Sequence, residues 1–321
     1  MRRMAQRILE PGQIETLAQR SIPRVRIPDR ARLFARRAAR LRSLAEASPI
    51  GDYLRLFAAV AEAQHAALAD FSANLPTAAQ IETAQAHRMP PISATGWPRA
   101  PQWQAALRAI CQAIAPQLRL PEALAQLVAR LRDMQNDELE RQADIVLGIR
   151  EGEVDTAAAP FLTAALQVAW VALSSRFAAN EVQPLDVVGL CPLCGSLPVA
   201  SLVCAQTPYQ GYRYLHCALC ACEWHMVRVQ CSQCGAAGKD IAYHSLASAS
   251  SPDDAAPDAA AVRAETCGHC HGYRKILYQE KDPAVDPVAD DLASLALDLL
   301  LAEQGYARAS GNPLLWQPGQ R

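Results

Sequence analysis

Apolar positions in the first half of the chain recur at helical spacing. Leu33, Phe34, Ala38, Leu41, Leu44 and Ala45 fall on one face of a helix that begins near Asp29. Ser48-Pro49 reads as an N-cap followed by a first-turn proline, opening a helix to about Phe71 with the stripe Tyr53, Leu56, Phe57, Val60, Ala61 and Leu68. Pro76 opens a shorter segment, and Met89 to Pro98 reads as a linker, too rich in proline to be helical. Further helices are expected near 101–116, 121–135, 137–151 and 157–179, with Pro101, Pro121 and Asp137 at or near their starts. Together they suit a helical bundle.

After residue 198 the pattern changes to short strands. Val199 to Val203, Tyr212 to His216, Trp224 to Val229, Asp240 to Ser245, Val262 to Thr266 and Tyr273 to Tyr278 read as strands. Ala247 to Ala261 is rich in Ser, Ala, Pro and Asp, the composition of a flexible loop. Asp286-Pro287 opens a last helix to about Gln304, stopped by Gly305, with Leu292, Leu295, Ala296, Leu299 and Leu300 as its apolar face. The predicted fold is a mainly α N-terminal domain, two small β folds of zinc-ribbon or rubredoxin-like type, and a C-terminal helix. The expected boundaries are a basic arm over 1–28, the helical domain over 29–183, the two ribbons over 184–230 and 231–282, and the C-terminal helix and tail over 283–321.

The chemistry sits in the β region. Ten of the eleven cysteines lie between Cys191 and Cys270, and eight form four Cys-x-x-Cys knuckles: Cys191/Cys194, Cys217/Cys220, Cys231/Cys234 and Cys267/Cys270. A knuckle puts two thiolates on one side of a tight turn, and two knuckles complete a tetrahedral S4 shell suited to zinc or, in rubredoxin-like sites, iron. Pro192 stiffens the first turn and Gly195 permits positive φ. The strands pair the first knuckle with the second and the third with the fourth. Pairing the second with the third would use a shorter spacing but strand the outer two. Two metal ions are expected, zinc or iron, mainly in a structural role. Cys191→Ser or Cys267→Ser is expected to remove one metal equivalent and loosen one ribbon, leaving the helical domain folded.

Other candidates carry less. His216, His225, His269 and His271 adjoin the knuckles, but with four cysteines per site they read as supporting or surface residues. Cys204 and Cys222 read as small apolar packing or auxiliary thiols, Cys111 as core, and Trp224 as packing over a knuckle. No Ser-His-Asp set, phosphate loop or pair of catalytic carboxylates stands out, so an enzyme is not expected.

Charge narrows the partners. The 321 residues carry a formal net charge of -1, and 205–282 hold seven Lys or Arg against eight Asp or Glu, which argues against nucleic-acid binding. Nine arginines and one acid, Asp29, lie between Arg20 and Arg42; they read as a solvated helix face or as a cationic arm for an acidic partner. No apolar run spans a membrane, and after Arg2-Arg3 the stretch Met4 to Gln13 is too polar for an export signal. The expectation is a cytoplasmic protein with reduced thiols, its self-association into a homo-oligomer left open.

Leu190-Cys-Pro-Leu-Cys-Gly-Ser196 with Pro198-Val199, Arg213-Tyr-Leu-His-Cys-Ala-Leu-Cys220 with Glu223-Trp-His225 and Arg228, Cys231-x-x-Cys234, and Cys267-Gly-His-Cys-His-Gly-Tyr273 with Lys275 resemble the formate dehydrogenase accessory protein (FdhE) family. Leu33 to Leu41, Pro49 to Leu54 and Gln64 resemble its helical part. The similarity covers about residues 30–305, and Cys222 departs from it. The resemblance implies a cytoplasmic maturation factor needed for activity of respiratory formate dehydrogenases, molybdenum or tungsten enzymes exported folded by the twin-arginine route. It implies a helical domain joined to two rubredoxin-like folds, the eight cysteines as metal ligands, and binding of the immature catalytic subunit before export. A rubredoxin-like iron protein acting during cofactor assembly is the alternative.

Overall fold

The computed structural model describes residues 23–117, 119–246 and 260–316. Most of the basic arm and of the 247–261 loop lie outside the described residues. The helices are α1 Leu33–Ala45, α2 Gly51–Ala69, α3 Ala78–Ala86, α4 Gln102–Gln117, α5 Glu122–Asp133, α6 Asn136–Val146 and α7 Ala159–Ser174. All of α7 except Thr163 is buried, as expected of a helix that is apolar on every side. Gln64 on α2 crosses to it, donating to Ala164 O at 2.8 Å and to Gln167 Oε1 at 3.0 Å. The α1–α2 corner is tight: a Cβ on Gly51 would stand 2.5 Å from Ala45 O. Gly51→Ala is therefore expected to cost about 1–3 kcal/mol of stability, read as a lowered unfolding midpoint; an unchanged midpoint would refute the clash.

The strands are β1 Val25–Arg26, β2 Pro198–Val203, β3 Arg213–Cys217, β4 Glu223–Met226, β5 Ile241–His244, β6 Val262–Cys267, β7 Gly272–Tyr278 and β8 Ala307–Arg308. Each ribbon is an antiparallel arrangement, β2-β3-β4 and β5-β6-β7. They are fused into one sheet of order β1-β4-β3-β2-β7-β6-β5, because β2 and β7 pair in parallel, Ser201 opposite Ile276. β1 closes one edge with Val25 opposite Trp224 and Arg26 opposite Glu223, and β8 pairs with β7.

Three expectations change. The 89–98 stretch is non-helical, yet it is a brace rather than a free linker. Ile92 N and Ala94 N donate to Leu193 O and Cys194 O at 3.0 and 2.8 Å, and Trp170 Nε1 of α7 donates to Ile92 O at 3.1 Å. The last helix is two, α8 Ala289–Ala293 and α9 Leu295–Glu303. The buried Lys275 donates from Nζ to Asp291 O and Ser294 O at 2.7 and 3.1 Å, taking carbonyls that a continuous helix would use. The break turns Leu297 and Leu301 inward with Leu292 and leaves Leu299 68% exposed.

The arginine run is also neither wholly solvated nor free for a partner. Arg37 is 1% exposed and donates to Asp286 Oδ1 at 3.2 Å. Arg40 binds Asp290 and, at 2.7 Å, Asp282; Arg26 binds Glu223 at 2.8 Å. The acids that hold Arg26, Arg37 and Arg40 come from positions some 200–250 residues later, which adjacency in sequence does not reveal. Arg32 and Arg36 do stay exposed.

Candidate metal centres

The four knuckles share one backbone device. Each is followed by a residue with positive φ: Gly195 at 76°, Ala221 at 56°, Gly235 at 80° and His271 at 53°. In the first, Cys191 N donates to Ser196 O at 3.0 Å and Gly195 N to Cys191 O at 2.8 Å; in the third, Cys231 N donates to Ala236 O at 2.7 Å and Gly235 N to Cys231 O at 3.0 Å. The left-handed residue closes the turn so that both sulfurs of a knuckle face the same side.

Two clusters result. Cys191, Cys194, Cys217 and Cys220 form one; Cys231, Cys234, Cys267 and Cys270 form the other, each with its sulfurs within 4.8 Å of one another. In the first, Cys191 Sγ lies 3.5 Å from Cys220 Sγ and Cys194 Sγ 3.4 Å from Cys217 Sγ; both cross-knuckle contacts in the second are 3.7 Å. A disulfide would hold sulfurs about 2.05 Å apart, whereas a tetrahedral S4 shell with bonds of about 2.3 Å separates them by ~3.8 Å. The clusters fit a metal ion. None of the eleven cysteines forms a disulfide. Amide groups point at the sulfurs, Leu219 N and Cys220 N at Cys217 Sγ and Gln233 N at Cys231 Sγ, each at 3.4 Å, which supports thiolate charge.

The clusters differ in setting. All four sulfur residues of the first are 0–1% exposed, and burial pushes the Cys191, Cys217 and Cys220 thiols well up. A cation is what such buried sulfurs need to ionise, and its entry displaces their protons. Helix α7 grips this cluster, with Gln167 Nε2 donating to Ala218 O at 2.6 Å and Ser174 Oγ to Cys220 O at 2.8 Å. In the second, Cys231 and Cys267 are buried, Cys270 is half-buried and Cys234 is exposed.

Among the described residues no histidine joins either cluster. His216 Nδ1 pairs with Glu223 Oε1 at 2.9 Å, His225 stacks edge-on against Tyr212 and Tyr214, and His269 and His271 are exposed. Cys222 is fully buried against the Cys191 and Cys220 thiols. Cys204 accepts from Arg26 Nη1 at 2.9 Å, with burial pushing its thiol up to about 11; Cys111 is buried in α4. Trp224 Nε1 donates to Val188 O at 2.9 Å, just ahead of the first knuckle.

Sequence reasoning missed the charges that weld the ribbons. Buried Arg213 on β3 donates to Ser201 Oγ at 2.9 Å, to Gln230 O at 3.0 Å and to Glu265 Oε1 on β6 at 2.7 Å. Arg274 on β7 donates to Ser232 Oγ at 2.8 Å and also to Pro198 O at the start of β2. A strand arginine reads from sequence as a solvent-facing charge, so only the parallel β2–β7 junction exposes this use.

Family models match in three consecutive pieces: the N-terminal FdhE domain over residues 22–186, the central FdhE domain over 190–228, and the FdhE C-terminal domain over 229–315. The chain belongs to the FdhE family. The FdhE homologue of Cronobacter sakazakii is 41% identical over 321 residues, 99% of each chain. The FdhE protein of Escherichia coli K12 is 41% identical over 312 residues, covering 97% of this chain and 96% of its own. The crystal structure of FdhE from Pseudomonas aeruginosa superposes with a TM-score of 0.75 at 39% identity, covering 92% of this chain and all of that one. In this FdhE fold the central piece carries the first cluster and the C-terminal piece the second. No helix among the described residues is long and apolar enough to cross a membrane.

Proposed function

We propose that this chain is a cytoplasmic accessory factor needed for formate dehydrogenase activity. It binds the immature catalytic subunit before export and performs no catalysis of its own. Cys191, Cys194, Cys217 and Cys220 hold one ion and Cys231, Cys234, Cys267 and Cys270 a second, each zinc or iron. The observation that carries this reading is the pair of four-cysteine clusters with tetrahedral spacing, set in a chain of the FdhE family. Its first centre holds helices and sheet together; its second stands at the surface. Exposure of Cys234 also favours a second reading, in which that centre holds iron and passes electrons during cofactor assembly.

Protein purified without oxygen is expected to contain two metal equivalents per chain. Colourless zinc supports the structural role, and red iron that dithionite bleaches and air restores supports the redox role. Absence of metal would overturn both. The tagged chain is expected to capture the formate dehydrogenase catalytic subunit from extract of cells blocked in export; failure to do so would sink the docking role while leaving the metal assignment intact.

A further inference from the structure

The segment 227–230, which follows β4, crosses the face of the sheet that carries Arg213 and Glu265, and its main chain is tied down. Arg213 Nη1 donates to the carbonyls of Val227, Arg228 and Gln230 at 3.2, 3.3 and 3.0 Å. Tyr243 Oη of β5 donates to Arg228 O at 3.1 Å, and Gly238 N to Val229 O at 3.3 Å. Gly189 packs so closely on Ser232 O that a Cβ there would clash, which brings Val187 and Val188 alongside. With the backbone fixed, the side chains turn outward. Val187, Val188, Val227, Val229, Tyr243 and Leu246 are 38–59% exposed, and they are six of the ten exposed large apolar side chains among the described residues. Apolar residues gathered in one place, rather than scattered singly, mark an interaction surface.

Strand β5 borders this patch and is the outermost strand of the sheet. Asp240 O accepts from Gly268 N, the residue opposite it, at 2.8 Å. In an antiparallel pair the main-chain groups then alternate, so those of Ala242, opposite Thr266, face β6 and those of Tyr243 face away. Among the described residues no strand pairs with that outer edge. An edge of this kind accepts an added strand.

The charges select the strand. Arg228 and Lys239 are exposed and form no ion pair among the described residues. Glu265 is engaged by Arg213 and Asp186 by Arg88, and Asp240 is half-buried. A second copy of the chain would set this positive surplus against itself in an isologous contact, whereas a strand bearing carboxylates complements it.

We propose that the outer edge of β5 and the apolar patch beside it bind an extended apolar segment, flanked by carboxylates, of the immature catalytic subunit. This inference rests on the docking role proposed above and gives that role a place on the chain.

The test titrates the metal-replete full chain with purified formate dehydrogenase catalytic subunit from cells blocked in export. Val229→Asp is expected to weaken binding at least about tenfold and Arg228→Glu about tenfold. Leu299→Asp on α9, at a position 68% exposed, is expected to leave binding unchanged. All three variants should keep metal content and helicity, because 227–230 is held through main-chain carbonyls. Amide hydrogen exchange at Tyr243 is expected to slow when the subunit binds the parent. Equal binding by the parent and all variants, or unaltered exchange at Tyr243 in the complex, would overturn the surface and leave the docking role standing. No binding by the parent would sink both. Self-association of the chain that Val229→Asp abolishes, with no effect of that variant on the catalytic subunit, would assign the patch to a second copy and overturn the proposal.

Discussion

Cys217→Ser is expected to abolish cooperative folding of the whole chain, while Cys234→Ser is expected to loosen only the second ribbon. The sequence alone suggested that losing either centre would spare the helices. The structure removes that symmetry. The first cluster is buried in the same apolar core as α7 and is bonded to it through Ala218 O and Cys220 O. Structural zinc in small domains contributes about 10–16 kcal/mol, comparable with or larger than a typical total stability of about 5–15 kcal/mol. Losing that term here leaves three buried thiols beside a hydroxyl in the centre of the fold. At Cys234, exposed on the sheet margin, the loss is confined to β5, β6 and their turns. Thermal unfolding followed by far-ultraviolet circular dichroism, with metal content on the same samples, separates the two. A chelator should likewise strip the second centre while helicity holds, and the first only as helicity is lost. Identical melting of the two variants would refute the asymmetry.

The second large effect is expected at Asp291, which is 0% exposed. Asp291 faces Arg308, stands 3.6 Å from Lys275 Nζ, and accepts from Asn312 Nδ2 at 2.7 Å. Lys275 and Arg308 also share Asp298 Oδ2, at 2.7 and 3.2 Å. Asp291→Asn leaves two buried cations with one acid between them. Breaking such a buried group costs about 3–5 kcal/mol, equivalent to lowering Tm by about 10 °C.

The pH dependence has a defined sign. Burial alone would raise Asp291, but the charges of Arg308 and Lys275 outweigh it and hold the carboxyl below its ordinary range. Asp286, opposed by burial but held by Arg37, shifts the same way. Such groups stabilise above the unfolded value near ~4, and that stability is lost as pH falls through their lower folded values. Asp290 and Glu265 are raised by burial, so they act oppositely and relieve a cost as they protonate on the way down to ~4. The Tm gap between Asp291→Asn and the parent should therefore be full at neutral pH and shrink below pH ~4. A gap that stays constant down to pH ~3 would refute the ion-pair account.

The order of elements was legible because each is a local matter. Helical spacing of Leu33, Phe34, Ala38 and Leu41, prolines at helix starts, and alternating strands around the knuckles carry their meaning within a few residues. So did the grouping of the eight cysteines, since two knuckles joined by a hairpin must face one another. What distant segments do to each other was not legible. The parallel β2–β7 contact fuses the ribbons, Lys275 breaks the last helix at Ser294, and the acids of 282–290 neutralise arginines of the first helix. The last two join residues 16 to 250 positions apart through side chains whose types, Lys, Arg and Asp, ordinarily mark the surface. Local sequence thus determined the helices, strands and cysteine knuckles, because backbone preference and thiol spacing are short-range. The full burial of one cysteine cluster and the partial exposure of the other were decided only by tertiary packing, because both clusters are made of four cysteines and differ in what the rest of the chain lays over them.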